Sequence, residues 1–526
     1  MNSQNEIVKK KGLKEFDVRD VGYFLLKKSW IIAIAAFVCL VFALGYTALI
    51  PEKFVTNTRT FLIAGNGDSS NAWAIGERTV ENTPTLIDGN AFCAEVRDIL
   101  NDDGKLHQFH DDKNNAQIKE KLNAYLVQNG RASVDNSNIT HFNEGKKVTE
   151  GDVIGWIKAE VTGKDLNTFT IFPWRPQQGK VARLFCDLYT PQGEPFEGDT
   201  RRVLKKAIEK ATQMGYTFEV GPDCEFFLFN TDENTLPTTM THEKAGYFDC
   251  GPMDFGENAR RDIVLTLEDM GFVIESSHHE KAPAQHEVDF QHDEALTAAD
   301  NIMTFKLAVK MVAKRHGLHA TFMPKPKFGV DGSGMHINMS LYKDGKNIFN
   351  DPDGELGLSK EAWYFMGGIM KHIKAITAIT NPLVNSYKRL VPGFCAPTSV
   401  GWSTDSENCL FHIPFEKDED TRIELRSPDP AANPYLALAV CLMAGLKGIE
   451  EKQDPPRSMT RAKNEKAQML PTSLKEAIVE LEKDTFIRDV LGKELHKRYI
   501  ELKKEEWQDY SSQVTEWEIS QYLDQY

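Results

Sequence analysis

TFEVGPDCEFFLFN, residues 217–230, is rich in β-branched and aromatic residues and reads as a strand. Side chains two apart on a strand point the same way, so Asp223 and Glu225 share a face. Two adjacent carboxylates repel unless a cation lies between them; a solvated strand edge is the plainer alternative. Further carboxylates downstream shift the balance. HHEKAPAQHE (278–287) sets Glu280 and Glu287 on either side of a Lys-Ala-Pro-Ala turn, so two arms of a hairpin can present both to one site. DGSGMHINMS (331–340) offers His336 after a glycine-rich turn whose backbone can approach a small ligand closely; a lone histidine there is more often a packed core residue, but the set of motifs is specific. DTRIELRSPDP (420–430) alternates Arg422, Glu424 and Arg426 along a strand. Its guanidinium groups can fork onto a carboxylate or a phosphate. Oxygen-rich ligation with a single imidazole suits magnesium or manganese rather than zinc.

Outward from this stretch, strands and helices alternate from Thr168 onward without repeats or low-complexity tracts. The final stretch, Pro471 to Tyr526, carries apolar residues at helical period, with a charged face that reads as solvated and with Trp507 and Trp517 as packing residues. The formal charge of -15 argues against nucleic acid as a partner, because phosphate binding is driven by Lys and Arg. The eight cysteines are scattered, with no CxxC pair, which favours a reducing compartment for most of the mass.

Upstream the texture differs. From Trp30 to Ile50 about 21 residues run without a charge, long enough to cross a hydrocarbon core. Six lysines precede the run, so the positive-inside rule puts residues 1–29 in the cytoplasm and everything after Ile50 outside. A cleaved signal peptide and a buried helix are the rival readings; the long n-region and the missing small-x-small site speak against cleavage. Phe54 to Ala64 suggests a strand, Thr83 to Leu100 a helix, and 152–167 a strand followed by a turn. The expected organisation is thus a cytoplasmic segment (1–29), a membrane helix (30–50), a small α/β segment (51–167) and a large domain (168–526).

Two resemblances arise from these motifs. The lead VRDVGYFLLKKSW, the span, the strand KFVTNTRTFLIAG and the helix TPTLIDGNAFCAEVRDIL resemble the chain-length determinants, the polysaccharide co-polymerases of bacterial envelopes. That family's second span has no counterpart here. GPDCEFFLF, SSHHEKAPAQHEVDF, the segment from Met303 to His336, ITNPLVNSYKRLVPG, RIELRSPDPAANPYLALAV and EWQDYSSQVTEWEISQYL are similar to type I glutamine synthetase over about 168–526. This second resemblance implies an α+β catalytic domain, a curved antiparallel sheet carrying the carboxylates with helices packed outside. It implies phosphorylation of L-glutamate by ATP and displacement of the phosphate by ammonia, with two or three Mg2+ or Mn2+ ions. Carried over, Glu225, Glu280 and Glu287 hold one ion, and Asp223, His336 and Glu424 the other. Gly332, Arg389 and Arg426 contact glutamate, Arg389 also standing among the catalytic positions, while Asn338, Ser340 and Arg422 contact ATP.

Several positions depart from that family's pattern. Cys395 stands where it has a glutamate that closes the site and takes a proton from ammonium, and a neutral thiol is a poor replacement. Glu407 and His412 stand where phosphate-binding arginines are expected. At 4 Å and an effective dielectric of 20, one charge pair is worth about 4 kcal/mol, so an Arg-to-Glu reversal is costly. Asp223, Asp331 and Ala284 are milder changes. Only the last strand of the family's small N-terminal domain, ending near Asp187, is present, which leaves the implied homo-oligomeric double ring incomplete. Three functions stay open: a working glutamate–ammonia ligase or a relative using another amine, a disabled paralogue, and an envelope scaffold acting through residues 15–167. An outward-facing, ATP-dependent fold contradicts the cytoplasmic location expected of the ligase. A natural fusion, two joined gene fragments or a designed chimera would each produce that contradiction.

Overall fold

In a computed structural model, the described residues are 59–65, 73–79, 163–174, 181–190, 193–405, 408–456, 458 and 468–526. The expected membrane helix at 30–50, the helix at 83–100 and Glu407 lie outside them. Among the described residues no helix is long and apolar enough to cross a membrane.

Four strands, β1 (Arg59–Gly65), β2 (Trp73–Thr79), β3 (Lys164–Ile171) and β4 (Val181–Cys186), form a sheet in the order β2-β1-β4-β3. This sheet crosses residue 168, where a boundary was expected. Residue 167 also proves to be mid-strand, whereas the sequence suggested a turn. The turn falls at Gly163, whose φ of +72° suits glycine, and tertiary bonds hold β3 extended. Phe185 N–H donates to Thr168 Oγ1 at 2.7 Å, and Arg201 Nη2 lies 2.7 Å from Asp165.

Arg201 sits near the start of α1 (Thr200–Gln213), capped by the Asp199 carboxylate, which accepts from Arg201 N–H. The large sheet begins with β5 (Thr217–Asn230), followed by α2 (Glu257–Asp269), β6 (Ile274–His279), β7 (Gln285–Phe290) and β8 (Asp293–Glu294). Next come α3 (Ala295–Arg315), β9 (Leu318–Thr321), β10 (Met335–Lys343), β11 (Lys346–Asn347), α4 (Lys360–Thr380) and the short α5 (Ser386–Arg389). The strands β12 (Trp402–Ser403), β13 (Phe411–His412) and β14 (Ile423–Leu425) complete the path β12-β13-β14-β10-β5-β7-β6. All its pairings are antiparallel except β12 with β13. The helices α6 (Pro434–Glu451), α7 (Leu474–Lys483), α8 (Thr485–Leu491), α9 (Lys493–Ser511) and α10 (Glu516–Tyr522) close the chain. The expected helical C-terminus is therefore four helices.

Alternation explains why this sheet has one oily face and one charged face. Phe218, Val220, Cys224 and Phe226 of β5 join Ile337, Met339 and Leu341 of β10, Val288 of β7, and Ile423 and Leu425 of β14 in a single core. Helix α3 lies in the same core, its Ala298, Ile302, Phe305 and Val309 all buried. Helices α4 and α6 approach so closely at Gly368 and Gly448 that a Cβ on Gly368 would sit 2.2 Å from Ala444 O. The opposite side chains of the same strands make the charged face.

Candidate active site

The strand register gathers the charged face. β5 aligns Asp223 with His336 of β10 and with Asp289 of β7, and it aligns Glu225 with Glu287. β10 aligns Asn338 with Glu424 of β14, which faces His412 of β13, while β7 aligns Glu287 with His278 of β6. Directly paired residues project to the same side. Five carboxylates expected from the sequence, Asp223, Glu225, Glu280, Glu287 and Glu424, thus converge with His336.

Two clusters emerge, each with its donor atoms within 4.8 Å of one another: Asp223, Glu287 and His336, and His278, Glu280 and Glu287. Glu287 belongs to both. Glu225 accepts a hydrogen bond from Gln285 Nε2 at 2.6 Å and lies 3.9 Å from His336 Nε2. Glu424 is held by His336 Nδ1 at 3.3 Å, by His412 Nδ1 at 2.8 Å and by Arg426. Strand pairing places Glu287 between Glu225 and His278, so the carboxylates expected to hold two ions form one continuous strip.

Like charges packed without water push carboxyl groups toward neutrality. Burial, then the neighbouring Glu280 charge, raises Glu225 to about 8. Burial and Asp289 raise Asp223 and Glu287 well above the carboxylate range, and burial brings Asp289 to about 6. Glu424 goes the other way: burial alone would raise it, but the His412 hydrogen bond and the His336 and Arg426 charges outweigh burial and bring it to about 2. Burial and the Arg426 charge keep His336 neutral, its ordinary value lowered well below 6.5. Its Nε2 is buried without a hydrogen-bond partner. An unpartnered imidazole nitrogen beside protonation-prone carboxylates is a donor set that a divalent cation satisfies.

Beside the strip opens a cleft of about 540 Å³, lined among others by Asp223, Asp289, Asn338, Ser340, His412 and Arg422. Asn338 Nδ2 donates to Asp223 Oδ2 at 3.0 Å, and Arg422 Nε donates to Asn338 Oδ1 at 3.3 Å. All three residues expected to contact a nucleotide therefore face one cavity.

The remaining expected positions lie at the other end of the strip. A Cβ on Gly332 would meet Pro324 O at 2.3 Å, so this turn admits only glycine. Arg389 is 1% exposed and donates to the carbonyls of Ser427, Pro428 and Arg426 at 2.8, 3.1 and 3.0 Å. Its Nη atoms thus brace the turn that carries Arg426, while its Nε is buried without a hydrogen-bond partner. Cys395 N–H donates to Asp331 Oδ1 at 2.9 Å, and Lys281 Nζ donates to Cys395 Sγ at 3.0 Å. His412, read from sequence as a lost phosphate contact, is a direct partner of Glu424.

Sequence reasoning missed His278, Asp289 and Gln285, although each lies two residues from a residue it had singled out. It also missed a buried network below the hairpin. His279 Nε2 lies 2.9 Å from Glu243 Oε1, and Arg260 Nη1 reaches Asp254 at 2.5 Å and His286 Nδ1 at 2.9 Å. Glu243 is distant in sequence, and no local pattern points to it.

Residues 197–522 match the family model described as the catalytic domain of glutamine synthetase. Over 371 residues the chain is 54% identical to the glutamine synthetase of Clostridium saccharobutylicum, covering 69% of this chain and 84% of that protein. The glutamine synthetase of Methanosarcina mazei is 51% identical over 368 residues, or 68% and 82% of the two chains. A solved structure described as a GmaS/ADP complex superposes with a TM-score of 0.63 at 34% identity, covering 69% of this chain and 84% of that one.

Proposed function

The chain belongs to the glutamine synthetase family, and from that premise we propose that it ligates ammonia to L-glutamate through a γ-glutamyl phosphate formed from ATP. The observation that carries this is the unpartnered, buried His336 Nε2 among Asp223, Glu225 and Glu287, beside a cleft with Asn338, Ser340 and Arg422. Mg2+ or Mn2+ held by these carboxylates and by Glu280 and Glu424 supplies charge neutralisation for the phosphoryl group in transit.

The chain's own residues account for the rest. Arg422 and the polar side chains of β10 hold the nucleotide in the cleft. Gly332 lets the backbone approach the amino acid closely, and Arg426, braced by Arg389, offers its guanidinium to a carboxylate. His412 keeps Glu424 ionised and so fit for a cation. The reaction consumes ATP, which assigns residues 168–526 to the cytoplasm, against the flank-charge reading of residues 30–50. A homo-oligomer belongs to the same proposal, supported by the exposed apolar residues Val514, Trp517 and Leu523 at the C-terminus.

A disabled relative is the second reading, favoured by the thiol of Cys395 where a carboxylate is expected. Both are tested by Mg-ATP-dependent γ-glutamyl transfer to hydroxylamine, run on the full chain and on the Cys395→Glu, Glu407→Arg double variant. Hydroxamate from the parent establishes a working ligase. Hydroxamate from the double variant alone establishes an intact scaffold with a disabled site, and none from either rejects the proposal.

A further inference from the structure

Beyond ligation, the pairing of Lys281 with Cys395 has a chemistry of its own. Lys281 follows Glu280 in the turn between β6 and β7, whereas Cys395 lies in the loop after α5, 114 residues away. Their polar atoms meet at 3.0 Å, Nζ donating to Sγ. Each is anchored from behind: Lys281 Nζ lies 5.5 Å from the Tyr247 ring centroid, and Cys395 N–H is bound by Asp331 at 2.9 Å. Neither residue is fully buried, so a small oxidant can reach the pair. Cys186, at the end of β4, is half-buried as Cys395 is, whereas four other described cysteines differ in burial. Cys224, Cys409 and Cys441 are buried, their thiols pushed up to about 12, first by burial. Cys250 is exposed.

We propose that Lys281 and Cys395 are a covalent redox site, closing under peroxide into a sulfur–nitrogen link that ties the carboxylate-bearing hairpin to the loop after α5. An ammonium beside a cysteine stabilises the thiolate, which is the form that attacks peroxide. Sγ bonds to one peroxide oxygen, the O–O bond breaks, and the sulfur, oxidised by two electrons, becomes a sulfenic acid as hydroxide leaves. The hydroxide takes a proton from the Lys281 ammonium. The free amine then displaces water from the sulfenic sulfur, forming the S–N bond without further oxidation. In total, thiolate, ammonium and one peroxide give the sulfenamide and two waters. A thiol reductant reverses it by attacking the same sulfur.

The test is mass spectrometry of the full chain after treatment with one to a few equivalents of hydrogen peroxide, digested without reductant. The expected result is a joined pair of peptides containing Lys281 and Cys395, two hydrogens lighter than their sum, which separates on adding dithiothreitol. Lys281→Arg should abolish the pair and leave Cys395 carrying two or three oxygens, while Cys250 reacts alike in both proteins. Cys395 carried to the sulfinic or sulfonic acid in the parent, with the Lys281 peptide free, overturns the proposal. Because the readout is mass, it holds whether or not the chain turns over.

Discussion

At the scale of single residues, the site is a set of opposed pulls on protons. Glu424 is ionised because His412, His336 and Arg426 surround it, whereas Glu225 holds its proton up to about 8 because burial and Glu280 disfavour its charge. For Glu225 the folded value lies above the unfolded one, so the folded state binds more protons and stability falls as pH rises toward 8. The raised His279 adds a loss of the same sign as pH climbs past 6.5. The lowered His336 and His286 contribute an opposite slope only below 6.5. Thermal unfolding in EDTA should therefore show the midpoint dropping between pH 7 and 8.5, at up to about 1.4 kcal/mol per pH unit for each proton released. Saturating Mg2+ should flatten the slope, since a cation replaces the proton. His336→Asn should weaken Mn2+ binding by at least about tenfold in a calorimetric titration, because it removes the unpartnered imidazole nitrogen beside Asp223 and Glu287. An unchanged affinity would exclude His336 from the ion site.

At the scale of elements, what sequence could reveal depended on whether a partner was local. Period two along 217–230 and 420–430, and the hairpin turn within 278–287, put the carboxylates on one face. The register between those strands was invisible, because it is set by packing of their apolar sides against α3 and by pairings between strands far apart in the chain. For that reason Glu287 could be placed near Glu225 but not recognised as shared with His278. Arg389 shows the same limit: its motif marks it as a site residue, but that its Nη atoms bond carbonyls of a distant turn while its Nε is buried without a partner is not legible locally. Trp517, read as a packing residue, is 62% exposed on α10, while Trp507 on α9 does pack against the core. The glycines of α4 and α6 were silent in sequence as well, though the interhelix contact depends on them. Gly368→Ala would press a methyl onto Ala444 O and Gly448 Cα. We expect a loss of about 1–3 kcal/mol in urea unfolding with the m-value unchanged, the usual cost of overpacking.

At the scale of the whole molecule, the question is where the folding unit begins. The matched family domain starts at residue 197, but the hub that holds its first helix does not. Arg201 is 4% exposed and bonds Asp165, Asp187 and Asp300 at 2.7, 2.9 and 2.7 Å, with Tyr435 Oη donating to Asp300 at 2.6 Å. Two of its three carboxylates belong to the stretch before 197. A chain cut at 197 keeps only Asp300 for that guanidinium and loses β4 with its buried Leu184 and Phe185. Charge-assisted hydrogen bonds of this kind are worth about 1.5–3 kcal/mol. A chain starting at 163 should therefore unfold at clearly higher urea than one starting at 197. Asp165→Asn combined with Asp187→Asn in the longer chain should remove about half of that difference, because the hydrophobic cover of β4 remains. Equal midpoints for the two chains would mean that the β3–β4 strands are only an attachment and that the catalytic domain folds from residue 197.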